Sequence, residues 1–377
     1  MIIQMQAGIG PEDKRTLTVA NVAADMGVKP EIRNISGSNM VVTEVYFLDG
    51  GVKACTLPEH PFRQMEGVSL VRRVTPSAVS LSLNGNSAGH TVKIGSAFIG
   101  NNLPCQLIAG PCTVDRRIDD LVGQLVNGNG IKLIRGGCWK PRSSAESFPG
   151  FGKKGVEWLL KAAKKHRAES VFLEVLDETH ITDVQRIQSA VGYNGQIVLW
   201  VGARTDNQNL LRKLGRQTSF PVMLKNPIRA KGLAEWMKRV EFVITGERHF
   251  DDDGQLIPDK SLNQGNDQIL LCSRGVEHDD EESPYRFAPQ HEWITAVRKR
   301  YWTPVGVDPS HSAGTMVDDL VFRNLEAALV HRPAFAIVEV YFDDRQGLCD
   351  AQQAVPLSRI CEVQRMIAAH NERHYSN

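Results

Sequence analysis

Residues 106–112 read QLIAGPC, a short apolar run that ends at a glycine, a proline and a cysteine. Seven later runs have the same form, so that the full set comprises residues 106–109, 132–134, 171–173, 197–201, 222–224, 269–272, 304–307 and 336–338. Short apolar runs bounded by Gly or Pro are typical of strands buried on both faces of a parallel sheet, and most intervening segments have helical periodicity. Eight strand–helix units predict an α/β fold of the (β/α)8, or TIM barrel, type.

Cationic side chains follow several of these runs. In a (β/α)8 barrel the carboxyl ends of all strands meet at one mouth, so residues distant in sequence are expected to share one pocket. The strand-end cations are Arg135, Lys140, Arg204, Lys225 and Arg274. Arginine binds phosphate and carboxylate with two parallel hydrogen bonds, and lysine adds a compact charge. The alternative, surface cations paired with acidic neighbours, does not account for their placement at strand ends. The pattern predicts a polyanionic substrate.

A turn after the second run extends this cationic group. Arg142, Ser143 and Ser144 follow Lys140 in a proline-containing segment. A guanidinium and two hydroxyls in one turn can hold a phosphate group. We therefore predict a second phosphate position beside the first.

A second group of strand-end residues offers metal-binding atoms: one thiolate, one imidazole and two carboxylates. These residues are Cys112, His311, Glu339 and Asp350. Mixed sulfur, nitrogen and oxygen donors favour a borderline divalent ion such as Mn, Fe, Co or Zn over Mg. Such an ion can polarise a substrate carbonyl as a Lewis acid. Each residue taken alone also has an ordinary structural explanation, a buried core cysteine for example.

The residues before the barrel form a separate pattern. Candidate strands at 2–6, 32–35, 41–47 and 68–74 alternate with candidate helices at 11–26 and 58–65. This βαββαβ order predicts a small ferredoxin-like α+β domain. We predict a ferredoxin-like domain over 1–75, a linker with a barrel-closing hairpin over 76–104, and the barrel over 105–377.

Residues 248–267 form a long polar excursion between the fifth and sixth barrel strands. This segment either covers the mouth of the barrel or forms a surface hairpin.

Composition excludes several functional classes. The 377 residues carry a net charge of +1, which provides no bulk basic field for nucleic acid or an anionic membrane. Seven cysteines without CxxC spacing, in a chain this long, predict a reducing compartment rather than disulfide staples. The chain shows neither a signal-peptide pattern nor an apolar run of membrane-spanning length. We expect a cytoplasmic protein.

Four ordered phrases are more specific than the general pattern: AGPC at 109–112, RGGCWKPRSS at 135–144, GAR at 202–204 and VDPSH at 307–311. They resemble 3-deoxy-D-arabino-heptulosonate 7-phosphate (DAHP) synthase, type I. Further matching phrases are SFPGFG at 147–152, PVMLK at 221–225, LLCSRG at 270–275, VEV at 338–340 and CDAQQA at 349–354. The resemblance spans the barrel in the family's order, and the amino-terminal unit is similar to the ferredoxin-like extension of one subgroup.

The resemblance implies a metal-dependent condensation of phosphoenolpyruvate with erythrose 4-phosphate, the first step of the shikimate pathway to aromatic amino acids. It implies that the metal ligands are Cys112, His311, Glu339 and Asp350. It implies that the residues that hold phosphoenolpyruvate are Arg135, Lys140, Arg204, Lys225 and Arg274. It also implies that the residues that bind erythrose 4-phosphate are Arg142, Ser143 and Asp308, with Arg142 and Ser143 at its phosphate. Lys140, Cys112 and His311 are the expected catalytic residues.

The chain departs from the family's usual wording at a few positions. Tyr341 stands where the family often has His, and Ser273 stands where one subgroup has Glu. The pair Asn226 and Pro227 matches neither common subgroup wording. Cys349 and Ala351 flank Asp350, where Ser and Gly are more usual. These departures are typical of a divergent member and leave a shifted sugar specificity open.

Two alternative functions remain at this point. The first is a related condensation with another phosphorylated aldose, as in octulosonate synthases; these usually read KANRSS and lack GAR, so KPRSS and GAR favour the heptulosonate reaction. The second is a non-catalytic regulatory homologue, which the retention of all nine predicted metal-binding and cationic residues disfavours.

We expect the protein to form a homo-oligomer, either a dimer or a tetramer. The amino-terminal domain either binds an aromatic amino acid effector or serves as a stabilising or oligomerising unit.

Overall fold

A computed structural model describes residues 1–36, 41–47, 57–72, 90–142, 144–205, 207–245, 248–254, 265–314, 319–344, 346–349 and 353–375. The contacts divide the chain into two compact units, 1–87 with 248–261 and 88–247 with 262–377. Our predicted boundaries near residues 75 and 104 stay predictions. Residues 76–89 of the predicted linker and residues 255–264 of the excursion over 248–267 lie outside the described residues.

The amino-terminal unit has the predicted βαββαβ order. Its elements are β1 (Ile2–Met5), α1 (Lys14–Asp25), β2 (Pro30–Ser36), β3 (Val41–Phe47), the short α2 (His60–Arg63) and β4 (Val68–Arg72). The strands pair antiparallel in the order β2-β3-β1-β4, which is the ferredoxin-like arrangement. Helix α1 begins where the Asp13 side chain accepts a hydrogen bond from the Arg15 backbone N–H. Its buried face, with Val19 and Ala23, packs with Ile3 and Val45 of the sheet in one apolar core.

The second unit is a closed barrel of eight parallel strands. They are β7 (Gln106–Gly110), β8 (Leu133–Gly136), β9 (Ser170–Glu174), β10 (Gln196–Val201), β11 (Val222–Lys225), β12 (Ile269–Ser273), β13 (Val305–Val307) and β14 (Phe335–Tyr341). Each strand pairs with the next, and β14 also pairs with β7, which closes the barrel. A two-residue strand, β15 (Val355–Pro356), pairs with β14. The predicted (β/α)8 barrel is confirmed, and each of the eight predicted runs forms a strand.

Helices connect the strands on the outside of the barrel. They are α3 (Ile118–Gly123, continued by a π-helical turn Gln124–Gly128), α4 (Gly152–His166), α5 (Thr179–Val191), α6 (Gln208–Arg216), α7 (Leu233–Ile244), α8 (His291–Arg300), the short α9 (Pro309–Ser312), α10 (Leu320–Leu329) and, after a 3₁₀ turn (Leu357–Arg359), α11 (Ile360–Tyr375). Helix α6 buries Leu210, Leu211 and Leu214, which share one face at helical spacing. None of the helices in the described ranges is long and apolar enough to cross a bilayer.

A hairpin packs against the amino-terminal ends of the barrel strands, where it bonds to Glu169, Gln196 and Asp267. It consists of β5 (Thr91–Ile94) and β6 (Ala97–Gly100), paired antiparallel. Its apolar side chains Val92, Ile94 and Ile99 belong to one buried cluster with strand residues that include Phe172 and Phe335. The interior of the barrel is therefore a packed apolar core, and the polar strand-end residues remain at the carboxyl-terminal mouth.

The hairpin core gives a stability prediction. Ile99 is fully buried, whereas the adjacent Phe98 is 53% exposed. Ile99→Ala should lower the free energy of unfolding by about 2 to 4 kcal/mol, because it removes buried methyl groups and leaves a cavity. The matched control Phe98→Ala should change it by no more than about 0.5 kcal/mol. Denaturant titration measures both, and equal losses in the two variants would contradict the packing described here.

Candidate active site

A pocket at the carboxyl-terminal mouth of the barrel collects the strand-end cations. Seven cationic side chains line it together with one carboxylate, Glu174. The cations are Arg135, Lys140, Arg142, Arg204, Lys225, Arg274 and Arg286. All five cations that sequence reasoning assigned to the first anion therefore lie in one pocket, as does Arg142 from the turn. This excess of positive charge is the electrostatic environment that a polyanion prefers.

Arg135, at the end of β8, is fully buried. Its Nη2 donates to Glu339 Oε1 at 3.1 Å, and its guanidinium lies over the Trp200 ring, 5.2 Å from the ring centroid. Burial lowers the pKa of Arg135, but Glu339 and other neighbouring anions raise it more, so the side chain stays charged. Its Nε and Nη1 have no hydrogen-bond partner among the described residues. These two buried donors are available to a bound anion.

Lys140 lies at the same end of the barrel. Its ammonium donates to the Cys112 carbonyl oxygen at 3.2 Å and lies 3.3 Å from Cys112 Sγ and 3.4 Å from Glu174 Oε2. Burial lowers the pKa of Lys140, but Cys112 and Glu174 raise it more, so the ammonium stays protonated. The close approach requires Gly137, since a Cβ there would lie 2.3 Å from the Cys112 carbonyl oxygen and 3.0 Å from Lys140 Nζ.

Asp308 organises the next part of the mouth. Its Oδ2 accepts from Lys225 Nζ at 2.5 Å and from His311 Nδ1 at 2.7 Å, and its Oδ1 accepts from the backbone N–H groups of Ser310 and His311. Burial raises the pKa of Asp308, but His311 and Lys225 lower this pKa by a larger amount. The carboxyl group therefore stays ionised. We expected this side chain to contact erythrose 4-phosphate. In this structure it is fully buried, both of its oxygens accept bonds from the protein, and it orients Lys225 and His311; the predicted substrate contact stays a prediction.

Three of the four predicted metal ligands converge. Single ligand atoms of Cys112, His311 and Glu339 all lie within 4.8 Å of one another. Gln353 Nε2 donates to Glu339 Oε2 at 3.4 Å, and Cys349 Sγ lies 3.6 Å from Cys112 Sγ. Asp350, the fourth predicted ligand, lies outside the described residues.

The donor set fits a borderline divalent ion. Burial lowers the pKa of His311 more than Asp308 and Glu339 raise it, which favours the neutral ring. The Nδ1–H of a neutral ring donates to Asp308, so the lone pair of Nε2 points towards Glu339 Oε1, 3.2 Å away. In this protonation state both atoms offer a lone pair to a divalent ion. A metal-binding histidine usually donates its other ring N–H to a carboxylate or a carbonyl oxygen, which fixes the tautomer. His311 makes such a bond to Asp308.

The remaining cations surround an aromatic ring. The guanidiniums of Arg274, Arg286 and Arg204 lie 4.2, 5.3 and 5.9 Å from the centroid of the Phe287 ring. Burial lowers the pKa of Arg274 to about 10, and the repulsion of the two neighbouring guanidiniums contributes. Nη1 of Arg274 is buried without a hydrogen-bond partner in the described ranges. Sequence reasoning missed Arg286 and Phe287 because both lie in the loop after β12, several residues beyond the strand end.

The turn after Lys140 is described only in part. Arg142 Nε donates to the Phe148 carbonyl oxygen at 2.8 Å, which orients the guanidinium at the pocket wall. Ser143 lies outside the described residues. Sequence reasoning also left Glu174 and Gln353 without a role, although Glu174 ends a predicted strand and Gln353 lies in the CDAQQA phrase.

The positions that depart from the family's wording have defined contacts. The Tyr341 hydroxyl donates to Asp115 and accepts from Arg117 Nε. Ser273 Oγ donates to the Gln290 carbonyl oxygen at 3.3 Å. The Asn226 side chain accepts from the Arg274 backbone N–H at 2.7 Å and donates to the Gly275 carbonyl oxygen at 2.9 Å. Asn226 thus fixes the backbone that carries a pocket cation.

The chain is similar in sequence to known proteins. The model of the DAHP synthetase I family matches residues 82–374. The phospho-2-dehydro-3-deoxyheptonate aldolase of Thermotoga maritima is 29% identical over 365 residues, which cover 96% of this chain and 95% of that protein. A 2-dehydro-3-deoxyphosphooctonate aldolase of Geotalea uraniireducens is 24% identical over 284 residues, 71% of this chain and 92% of the relative.

Solved structures extend the similarity to the whole chain. The crystal structure of the Thermotoga maritima DAHP synthase aligns with a TM-score of 0.71 at 26% identity and covers 99% of this chain and 97% of that one. A truncated form of the synthase from the same organism aligns with a TM-score of 0.63 at 27% identity, over 79% of this chain and 97% of that one.

The converging ligand atoms predict a direct spectroscopic result. Purified protein loaded with Co²⁺ should show a near-ultraviolet charge-transfer band from sulfur to cobalt, because Cys112 offers the thiolate. Cys112→Ala should lose this band. Cys272→Ala, which removes a fully buried thiol of the barrel interior, should keep it. A band that persists in Cys112→Ala would contradict the ligand assignment.

Proposed function

Because the chain belongs to the DAHP synthetase I family, we propose that it condenses phosphoenolpyruvate with erythrose 4-phosphate to form DAHP and phosphate, with a divalent metal. The family makes the chain an enzyme, a transferase of the 3-deoxy-7-phosphoheptulonate synthase type. Its reaction belongs to the shikimate pathway to aromatic amino acids. The two substrates and the metal requirement are the part that we propose.

One observation carries the proposal: seven cations and one carboxylate line a single pocket beside the cluster of Cys112, His311 and Glu339. Two phosphorylated substrates repel each other, and fixed cations remove that obstacle while they hold both in reacting geometry. The buried, unpartnered donors of Arg135 and Arg274 support anion binding, since in the described part of the pocket their hydrogen bonds are still unmade.

We assign phosphoenolpyruvate to the deep side of this pocket. Its proposed contacts are the side chains of Arg135, Lys140, Arg204, Lys225 and Arg274. The buried carboxylates Glu339 and Asp308 hold Arg135 and Lys225 in place from below. Arginine at several of these positions fits the planar carboxylate and the phosphate of this substrate.

We assign the phosphate of the aldose to the turn after Lys140, with Arg142 and Ser143 as its contacts. The bond from Arg142 Nε to the Phe148 carbonyl oxygen leaves the terminal nitrogens of the guanidinium for the phosphate. Asp308 positions His311 and Lys225, and we keep it as a proposed contact of erythrose 4-phosphate.

We propose Cys112, His311, Glu339 and Asp350 as the ligands of the divalent ion. When bound, that ion supplies a Lewis acid for the aldehyde carbonyl of the aldose. Asp308 fixes the ring of His311 through Nδ1, and Gln353 donates to Glu339, so two of the ligands are oriented before any ion arrives. The identity of the ion, Mn, Fe, Co or Zn, stays open.

The bond changes follow from the chemistry of the substrates. C3 of the enol phosphate attacks the aldehyde carbon, water adds at C2, and C2–O cleavage then releases phosphate. Lys140 stays protonated in its buried position and donates to the aldehyde oxygen as that oxygen gains charge. The surrounding guanidiniums stabilise the charge that develops on the departing phosphate.

The octulosonate reaction remains the second candidate, because octulosonate aldolases are also among the relatives at 24% identity. Only the aldose differs between the two reactions. The whole-chain match to a heptulosonate aldolase favours the first reaction. A homo-oligomer, an aromatic amino acid effector and a cytoplasmic location also stay proposals.

Phosphate release tests the reaction. Phosphoenolpyruvate with erythrose 4-phosphate and Mn²⁺ should give turnover, and EDTA should abolish it. Arabinose 5-phosphate should give a rate at least about tenfold lower, since a pocket that fits one aldose disfavours a longer one by more than about 1.4 kcal/mol. Turnover with arabinose 5-phosphate alone would move the assignment to the octulosonate reaction. No release with either aldose would refute both.

The role of the amino-terminal unit has its own test. Phenylalanine or tyrosine should slow turnover of the full chain, and removal of residues 1–75 should relieve that inhibition. The reason is that a regulatory unit couples effector binding to catalysis. The control is the rate of the shortened chain without effector, which shows that the barrel still works. Inhibition that survives the deletion would rule out a regulatory role for this unit.

A further inference from the structure

The ring of Phe287 has an unusual environment for an apolar side chain. It is 7% exposed and belongs to a small apolar cluster with Ala203 and Ile228. Three guanidiniums lie within about 6 Å of its centroid, the range in which a cation is attracted to an aromatic face. They belong to Arg204, Arg274 and Arg286.

Three like charges at one place repel each other. A carboxylate between them would relieve the repulsion, but it would also occupy the N–H donors. An aromatic face attracts the cations through its quadrupole and takes no hydrogen bond from the edges of their guanidiniums. The buried Nη1 of Arg274, without a partner among the described residues, is the direct sign of an unused donor.

The backbone holds this arrangement in place from several sides. Val276 and Ala288 exchange two backbone hydrogen bonds, which fixes Phe287 beside the segment that carries Arg274. The Ser312 carbonyl oxygen accepts from the backbone N–H groups of Arg286 and Phe287, and the Ser312 hydroxyl donates to the Arg274 carbonyl oxygen. Gly275 has φ +91°, and a Cβ there would lie 3.1 Å from Phe287 Cβ. These backbone contacts therefore fix Phe287 beside the segments that carry Arg274 and Arg286.

We propose that Phe287 is a positioning residue that presents Arg204, Arg274 and Arg286 together to one phosphate group, with Arg286 as an additional phosphate-binding residue. The identification of that phosphate as the one on phosphoenolpyruvate rests on the proposed function. The ring orients the guanidiniums through their faces, and the anion takes the N–H groups at their edges. Arg286, at the rim of the pocket, adds a third positive charge to those of Arg204 and Arg274.

Inorganic phosphate is the probe that tests this arrangement, and calorimetry of the full-length protein measures its binding. Phe287→Leu keeps a buried apolar side chain but removes the ring, and it should weaken phosphate binding by about tenfold, in line with the strength of desolvated cation–ring contacts. Phe287→Tyr retains the ring and should stay within about twofold of the wild type. Ile228→Val trims the same apolar cluster without touching the ring and should also leave affinity unchanged.

Arg286→Gln gives a second, independent arm, because this residue is at the exposed rim and its replacement does not disturb a core. It should weaken phosphate binding by roughly threefold to tenfold and flatten the dependence of affinity on salt. In steady-state assays both Phe287→Leu and Arg286→Gln should raise KM for phosphoenolpyruvate and leave KM for the aldose unchanged. A purely structural role for Phe287 would disturb both KM values together.

Several outcomes would overturn the proposal. They are wild-type protein that does not bind phosphate, Phe287→Leu with wild-type affinity, Phe287→Tyr as weak as Phe287→Leu, and Arg286→Gln with unchanged affinity. Calorimetry with phosphate needs no turnover, so its result stands apart from the reaction. A wild-type protein that binds phosphate but releases none from phosphoenolpyruvate would refute the proposed function and leave this arrangement intact.

Discussion

The mouth of the barrel depends on buried carboxylates that hold cations away from water. Glu339 and Asp308 are fully buried and Glu174 is 6% exposed, and they pair with Arg135, Lys225 and Lys140. Removal of one partner from a buried ion pair typically costs about 3 to 5 kcal/mol, because the other charge is left without compensation. The cations can therefore stand at fixed positions in a site that still carries an excess of positive charge.

This polar mouth is possible because the rest of the barrel is an ordinary packed core. The hairpin β5–β6 packs its apolar side chains against the barrel strands, and Ile94 and Ile99 are fully buried. Apolar layers of this kind supply the stability that a charged cavity lacks. The division also explains the strand patterns, in which apolar residues fill the body of a strand and a charged or metal-binding residue follows its end.

Different parts of the site use different means to control charge. Asp308 supports Lys225 and His311 at once, so one buried carboxylate serves both the anion pocket and the group of metal-binding atoms. The arginines around Phe287 share contact with one aromatic ring. Carboxylates reduce the net charge of their cations, whereas the ring leaves it intact. Both devices keep the cations in place before a substrate arrives, which lowers the reorganisation that catalysis requires.

The sequence by itself determined the barrel, the ferredoxin-like unit and the set of strand-end cations, because strand periodicity and the position of each residue after its strand are local properties of the chain. It also selected Cys112, His311 and Glu339, whose convergence follows once the barrel closes. Only the tertiary structure decided that Asp308 faces inward to Lys225 and His311, and that Phe287 and Arg286 return to the mouth from the loop after β12. These contacts join side chains that lie far apart in the sequence, on different strands and loops. The local pattern of residues does not specify which of them come into contact.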